Sequence, residues 1–527
     1  MTATVAPRRA AEPETMTHRQ ILEAMSGLLA ALFTALLSST IVAVALPTII
    51  GQLHGTQRQY TWVITAALLA TTVSTPIWGK LADLFDKKVL VQISIAIFVA
   101  GSVAAGLAPN VPFLLAMRVV QGLGMGGLTA LVQAIMGSII APRERGRYAG
   151  YMGSVMAVST VSGPLLGGLL VDTALGWRST FFVCVPLAVI ALIVIQRTLK
   201  VPDLRRQPRI DYLGAILLAA ATSLPMLWVT FAGTEYAWWS WQTAAFLGAT
   251  AVLVVLTVIW ELKAPEPLVP LRLLAHRTAV LAIVASVAVG IALFGGTTFL
   301  GQYFQFARGF SPTHAGLLTI PLMAAMLLSS TLIGQIVSRT GHWKVFLVSG
   351  ASLLVVGLVL LGTIDHTTPL WLIGIAMALM GLGVGAMMQN LVLAVQNTVD
   401  VRDIGATSAS VAFFRSLGGA LGVAVLGAIL ADRVENLIVQ GLAALGIHGG
   451  QAGGGLGDLD LSQLPGPVLQ VVRAAYGDAT GLIFLVGAGA ALVSLLAVIF
   501  IREVPLRMTV SLKSESSKSE PERSAES

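Results

Sequence analysis

Charge is scarce in this sequence. Asp, Glu, Lys and Arg make up 11% of the 527 residues, against 56% hydrophobic, whereas an average soluble domain carries roughly 25% charged residues. That scarcity excludes a soluble enzyme. Cysteine is almost absent, and the lone Cys184 closes no disulfide within the chain and makes no multi-thiolate metal centre. Redox and zinc chemistry are therefore not expected, and no metal site is. No carboxylate falls in the middle of an apolar run, and the seven histidines sit at the ends of such runs or between them. A membrane-embedded enzyme needs clustered His, Asp or Glu, or a nucleophile paired with a base, and finds none of them there. Residues 1–20 hold Arg8, Arg9, Glu12, Glu14 and Arg19 with no apolar run, so the first span is expected to serve as its own insertion signal.

What the sequence has in abundance is long apolar runs. Fourteen are about 20 residues or longer, enough to cross roughly 30 Å of hydrocarbon as helices. They lie near 26–50, 60–79, 89–108, 112–139, 148–171 and 179–196, then 212–233 and 239–260, then 278–304, 312–337, 345–363, 368–396, 404–430 and 479–501. An even count puts both termini on one side. Of the 32 Lys and Arg, only Arg118 and Arg415 lie within spans, and only Arg58, Arg178, Arg308, Arg433 and Arg473 fall in one set of loops. The rest share a side with the termini, which the positive-inside rule makes cytoplasmic. The net charge of +7 is thus spent on topology and points to the membrane, not to nucleic acid.

The expected organisation is an all-α polytopic membrane protein. A cytoplasmic segment, 1–25, precedes a six-helix half, 26–198; an inserted helix pair with flanking loops occupies 199–274; a second six-helix half, 275–505, contains an external loop, 431–478; and 506–527 form a disordered cytoplasmic tail. Gly449, Gly450, Gly453, Gly454, Gly455 and Gly457 mark the external loop as a surface segment, with one short helix at 467–475. An internal repeat supports the two halves. Gly79-Lys80-Leu81-Ala82-Asp83-Leu84-Phe85-Asp86-Lys87-Lys88 leaves the second span and Gly334-Gln335-Ile336-Val337-Ser338-Arg339-Thr340-Gly341-His342-Trp343-Lys344 leaves the tenth. Transporters built from two parallel repeats carry substrate between them.

From about residue 26 to 505 the sequence resembles the major facilitator superfamily, and within it the fourteen-span drug:proton antiporters of the EmrB/QacA type. Gly79, Asp83, Lys87 and Lys88 match its loop motif, with Asp86 where a second glycine usually stands. The resemblance implies that this loop latches one conformation. An acid there accepts from free N–H groups at a helix N-terminus or pairs with a base; otherwise the loop is a solvated charge cluster that sets topology. Leu114, Arg118, Gln121, Gly122 and Gly124 match a motif built around a membrane arginine. A buried arginine costs at least about 2.5 kcal/mol and should face the bundle interior or water, with Gln121 and Met125 on the same face; the alternative is an arginine that snorkels to the outer interface. Gly150, Gly163, Pro164, Gly167 and Gly168 resemble the antiporter motif, in which small residues allow close helix approach, with Ser159 in place of one glycine. Arg143-Glu144-Arg145-Gly146-Arg147 and Gly176-Trp177-Arg178 resemble further family landmarks.

The first span departs from the pattern. Ser38 stands where the family has an aspartate assigned to proton or cation handling, and Ala43 where it has an asparagine. Any proton coupling must then use an acid near a membrane boundary, such as Asp172 or Asp478, or a proton on the substrate. Polar side chains elsewhere either line a cavity or bond neighbouring helices: Gln302 and Tyr303 on the ninth span, Gln389, Asn390 and Gln396 on the twelfth, and Arg415 on the thirteenth, beside Gly418, Gly419 and Gly422.

The expected function is secondary active efflux of small amphipathic compounds by alternating access, driven by the proton gradient with no bound cofactor, in a monomer in the cell membrane. A rival within transport is a uniporter, or an exporter of lipids or anionic metabolites, in which Arg118 and Arg415 hold negative charge. A non-transporting sensor would need a signalling domain that the loops do not offer. The seventh and eighth spans carry no transport motif and read as a spacer, a belt or a lateral gate.

Overall fold

The computed structural model describes residues 18–53, 57–140, 142–172, 176–199, 211–232, 235–265, 267–268, 276–310, 312–399, 404–447 and 466–504. The segment before His18, the loop around Arg205, the glycine-rich stretch Gly449 to Gly457 and the tail from 506 lie outside the described residues. The helices are α1 (His18–Gln52), α2 (Gln57–Leu84), α3 (Lys87–Gly106), α4 (Val111–Ile139), α5 (Pro142–Asp172), α6 (Ser179–Phe182), α7 (Cys184–Thr198), α8 (Tyr212–Phe231), α9 (Trp241–Lys263), α10 (Arg277–Gln302), α11 (Pro312–Leu318), α12 (Ile320–Thr340), α13 (Lys344–Leu361), α14 (Leu370–Gln396), α15 (Ile404–Ala444) and α16 (Gly466–Ile499), with a π turn, Tyr303–Ala307, continuing α10. Thirteen helical segments among the described residues are long and apolar enough to cross a membrane. α5, 31 residues long, stands outside those thirteen and occupies the place of the fifth crossing read from the sequence.

One boundary reading is corrected. Residues 431–444 and 466–478, expected as loop, are helical extensions of α15 and α16. Both extensions keep an apolar face, and Val434, Ile438, Val472 and Ala475 join the core of the second half. The expected short helix at 467–475 is the first part of α16.

Side-chain caps fix where several helices begin. Asp86 accepts from the Lys88 amide at 2.7 Å, Asn110 from Phe113 at 2.9 Å, and Asp211 from Gly214 at 2.8 Å. α13 is capped from far along the chain: Glu503 accepts from the amides of Trp343 at 2.9 Å and Lys344 at 3.1 Å. Gly341 ends α12 at φ 75°, a left-handed position where glycine is unstrained.

The two halves are built alike, α1–α7 and α10–α16. In each, the fourth long helix packs between the second and third (α4 on α2 and α3; α14 on α12 and α13), and the first packs on the fifth (α1 on α5; α10 on α15). A shared glycine pattern holds this arrangement: Gly122-Leu123-Gly124-Met125-Gly126 on α4 and Gly381-Leu382-Gly383-Val384-Gly385 on α14. A Cβ on Gly122 would lie 2.4 Å from the Ala67 carbonyl oxygen, and one on Gly381 would lie 2.2 Å from that of Leu322. Ser74 donates to the Leu123 carbonyl and its counterpart Ser329 to that of Leu382. Only glycine admits such backbone approach.

The halves meet along two seams, α2 on α15 and α5 on α12. α8 and α9 pack on each other, and α8 lies over the first seam, touching both α2 and α15. Leu218 of α8 clusters with Phe413, Phe414 and Leu417 of α15, and the Phe231 ring of α8 lies tilted against that of Trp62 of α2, centroids 5.6 Å apart. The inserted pair is therefore a belt across a seam and more than a spacer. Val252, Val255, Ile259 and Leu262 of α9 stay exposed, as a lipid-facing helix requires.

Candidate transport site

α4 carries a buried polar network. Arg118, only 3% exposed, donates from Nε to the Val63 carbonyl at 3.1 Å and from Nη1 to Gln121 Oε1. Gln121 Nε2 in turn donates to Ser102 Oγ at 2.8 Å and to Ser38 Oγ at 3.1 Å. Ser38 also lies beside the buried Cys184 thiol. Arg118 thus sits inside the first half and not at the outer interface. In the glycine register shared by α4 and α14, Met377 and Met380 take the places of Arg118 and Gln121, and both are fully buried. The scaffold is common to the two halves and the polar network belongs to one.

The loop between α2 and α3 explains its own departure from the motif. Asp86 has φ −60°, an ordinary value for any residue, and it caps α3, so a glycine is not needed there. The glycine falls at the equivalent place in the other half, Gly341. Gly79 is buried in α2. Lys87, buried at the start of α3, lies in the field of Asp83 and Asp86, and Lys88 Nζ donates to the Gln196 carbonyl at 2.8 Å. The loop is thereby tied to the end of α7.

On α5, a Cβ on Gly163 would strike Thr40 at 2.1 Å, and Thr40 Oγ1 donates to the Ser159 carbonyl at 3.2 Å. The crossing of α1 and α5 is thus closed by small residues. Gly167 is buried on the same helix, while the surroundings of Pro164 and Gly168 lie outside the described residues. So does the side chain of Asp172, and Asp478 is exposed.

The remaining polar candidates separate into two kinds. Tyr303 is fully buried and donates from its hydroxyl to the Asp365 carbonyl at 2.7 Å. Asn390 donates back to Ala386 within α14. Gln396 Nε2 donates to Ser408 Oγ at 2.6 Å. These tie helices and turns together. Gln302 and Met125 are half-buried, Met125 packing on the first-half core. Gln389 Nε2 reaches only Met152 Sδ, at 3.8 Å, and its Oε1 has no hydrogen-bond partner. Arg415, 5% exposed, donates to no group among the described residues and faces no carboxylate.

Contacts across the halves cluster toward the end that carries Lys87, Lys88 and Arg339. There a Cβ on Gly137 of α4 would lie 2.4 Å from Ile404 of α15 and 3.1 Å from the Gln396 amide of α14. One on Gly153 of α5 would lie 2.5 Å from Ser330 of α12. On α14, every residue from Gly383 to Asn397 is buried, whereas Leu370, Trp371 and Ile375 at the other end are exposed. α1 and α10 form no comparable contact with each other. The basic end is closed.

Sequence reasoning missed the α14 counterpart of the α4 glycines, visible as two G-L-G-x-G strings, and the caps made by Asp86 and Glu503. It also missed Val63, Ser102 and Cys184 as partners of the Arg118 network, for which the sequence carries no local signal.

Comparison with known proteins places these features in context. The family model for the Major Facilitator Superfamily matches residues 28–423. The chain is 36% identical over 473 residues to an uncharacterized MFS-type transporter of Mycobacterium tuberculosis, covering 89% of this chain and 67% of the relative. It is 33% identical over 418 residues to the multidrug transporter protein MdtP of Bacillus subtilis, covering 79% and 77%. Among solved structures, the proton:xylose symporter XylE shares the fold at a TM-score of 0.60 with 14% identity, over 92% of this chain and 97% of that one.

Proposed function

The chain belongs to the Major Facilitator Superfamily, a transporter and not an enzyme, and we propose that it is a fourteen-span exporter of the EmrB/QacA type. It moves small amphipathic organic compounds out across the cell membrane by alternating access, as a monomer, with the proton gradient as energy source and no resident cofactor. The observation that carries the reading is the pair of repeat-related halves held in close contact at the basic end. If the positive-inside rule holds, that end and both termini are cytoplasmic, and the contacts at that end are an inner gate. Substrate would bind from the inside when the contacts of Gly137, Gln396, Ile404, Gly153 and Ser330 part and the opposite ends approach. The multidrug name of the Bacillus relative supports the substrate class.

The coupling acid is the open step. Ser38 carries no titratable group and is bonded to Gln121 beside Arg118, so a proton would enter through Asp172, Asp478 or the substrate itself. The purified protein in proteoliposomes, given an imposed pH gradient and a panel of cationic, neutral and anionic dyes, tests this reading. Gradient-dependent dye export supports it, and dye movement indifferent to the gradient favours the uniporter reading. That second reading, which includes export of anionic compounds, is favoured by one observation: the buried, unpartnered guanidinium of Arg415.

A further inference from the structure

We propose that Arg415 and Gln389 form the recognition site for the acidic group of an amphipathic organic carboxylate. The proposal rests on the transport reading above and names the substrate class for it. The geometry starts from the hydrogen bond between Gln396 on α14 and Ser408 on α15. These helices run in opposite directions. Seven residues back along α14 from Gln396 is Gln389, and seven residues forward along α15 from Ser408 is Arg415. Seven residues are two helical turns less about 20°, a rise of about 10 Å. Gln389 and Arg415 therefore share the faces that meet at the Gln396–Ser408 bond, at one common depth above it.

Both are at least nine-tenths buried; Gln389 Oε1 has no partner, and the Arg415 guanidinium bonds no group among the described residues, whereas buried polar groups are ordinarily paired. The guanidinium offers five N–H donors in a planar fork, and no acceptor among the described residues takes them. The neighbouring Gln389 amide spends its donor on a thioether and leaves its oxygen unmatched. Two further buried hydroxyls, Ser286 on α10 and Thr407 on α15, also have no hydrogen-bond partner. Ser286 lies one turn from Gly290, whose Cβ position falls 2.0 Å from the Arg415 carbonyl, so α10 passes directly against this part of α15. Contrast Arg118, whose Nε and Nη1 both find acceptors within its own half. A carboxylate matches the guanidinium fork in bidentate fashion, takes a further bond from the Gln389 amide, and cancels the charge in a region of low polarity. An ammonium or a dication would meet repulsion there.

The test uses the full chain in lipid nanodiscs and a matched probe pair, dansyl-labelled undecanoic acid and its methyl ester, which differ only at the acidic group. The expected result is wild-type binding of the acid about tenfold tighter than the ester, a difference of about 1.4 kcal/mol. Arg415→Gln should abolish that preference by weakening acid binding about tenfold. Arg415→Lys, which keeps the charge and loses the fork, should weaken acid binding alone, and it serves if the glutamine variant does not fold. An acid preference that survives both substitutions, or no preference in the wild type, overturns the site. If the ester is still exported from proteoliposomes in that case, the efflux reading stands without it; if neither probe is bound or exported, both fall.

Discussion

Arg118 and Gln121 should be strongly coupled, because in the other half their places are held by Met377 and Met380 on the same glycine scaffold. Gln121→Met leaves a buried guanidinium without its side-chain acceptor, which costs about 3 kcal/mol by analogy with a broken buried pair. Arg118→Met strands Gln121 Oε1 at roughly 1–3 kcal/mol. The double variant removes donor and acceptor together and recreates the apolar packing of α14. Ser102 keeps a bond to the Phe98 carbonyl at 2.8 Å, so little is left unsatisfied. The double variant should therefore lie within about 1 kcal/mol of wild type, with a coupling energy of at least about 3 kcal/mol, at the upper end for residues in one network. At roughly 2–4 °C per kcal/mol for a domain of about this half's size, Gln121→Met melts about 6–12 °C and Arg118→Met about 2–12 °C below wild type, and the double variant within about 4 °C of it. Intrinsic tryptophan fluorescence of the detergent-solubilised protein during heating reads the order directly. A double variant that melts below both singles, as additive losses would require, refutes the argument. Transport by the double variant should be lost although its stability returns, which separates the network's role in function from its role in folding.

Other outcomes follow from neighbouring features. Ser38→Asp should gain export of a dicationic dye, because the new carboxylate sits beside Gln121 and within its relay to Arg118; a variant that folds and exports no dication refutes this. Asp83→Asn should slow transport with expression and substrate binding intact, and wild-type turnover would reduce Asp83 to a solvated charge. Asp365 is held at a pKa of about 2, chiefly by the Thr367 hydroxyl, with further bonds from the Thr367 and Thr368 amides and the Thr368 hydroxyl. Its depressed value contributes stability above the ordinary carboxylate range that is lost as pH falls from about 4 to 2. Asp365→Asn should thus destabilise less at pH 2.5 than at pH 5, and an equal deficit at both would exclude this linkage. Single cysteines at 205 and 453 in a Cys184→Ala background should label from opposite sides of the membrane, since the sequence places the Arg205 loop inside and Gly453 outside.

The helices and the repeat were legible because a bilayer leaves the backbone one option, and apolar runs with alternating basic loops record it. The arginines were legible for the same reason, since a charge inside a span stands out against its surroundings. What could not be read was which polar groups satisfy each other. Gln389 and Gln396 are seven residues apart and look alike, yet one is bonded to Ser408 and the other reaches only the Met152 thioether. Tyr303 looked like a cavity residue, and only the approach of the Asp365 turn reveals it as a tie. The long extensions of α15 and α16 were hidden because a glycine run reads as the end of structure, while the apolar stripe of Val434, Ile438 and Val472 depends on a partner helix distant in sequence.

The glycine contacts within each half also bear on how the molecule can move. Backbone lying against backbone leaves no side-chain rotamers to absorb displacement, so each half behaves as one rigid body. Two rigid bodies have six relative degrees of freedom. Contact along two seams on opposite flanks, α2 with α15 and α5 with α12, suppresses translation across the seams and twisting between the halves. One rotation survives, about a line that joins the seams in the membrane plane. Opening one end and closing the other are then a single coordinate, and the inserted pair, which binds both bodies at one end of that axis, lies where the displacement is smallest.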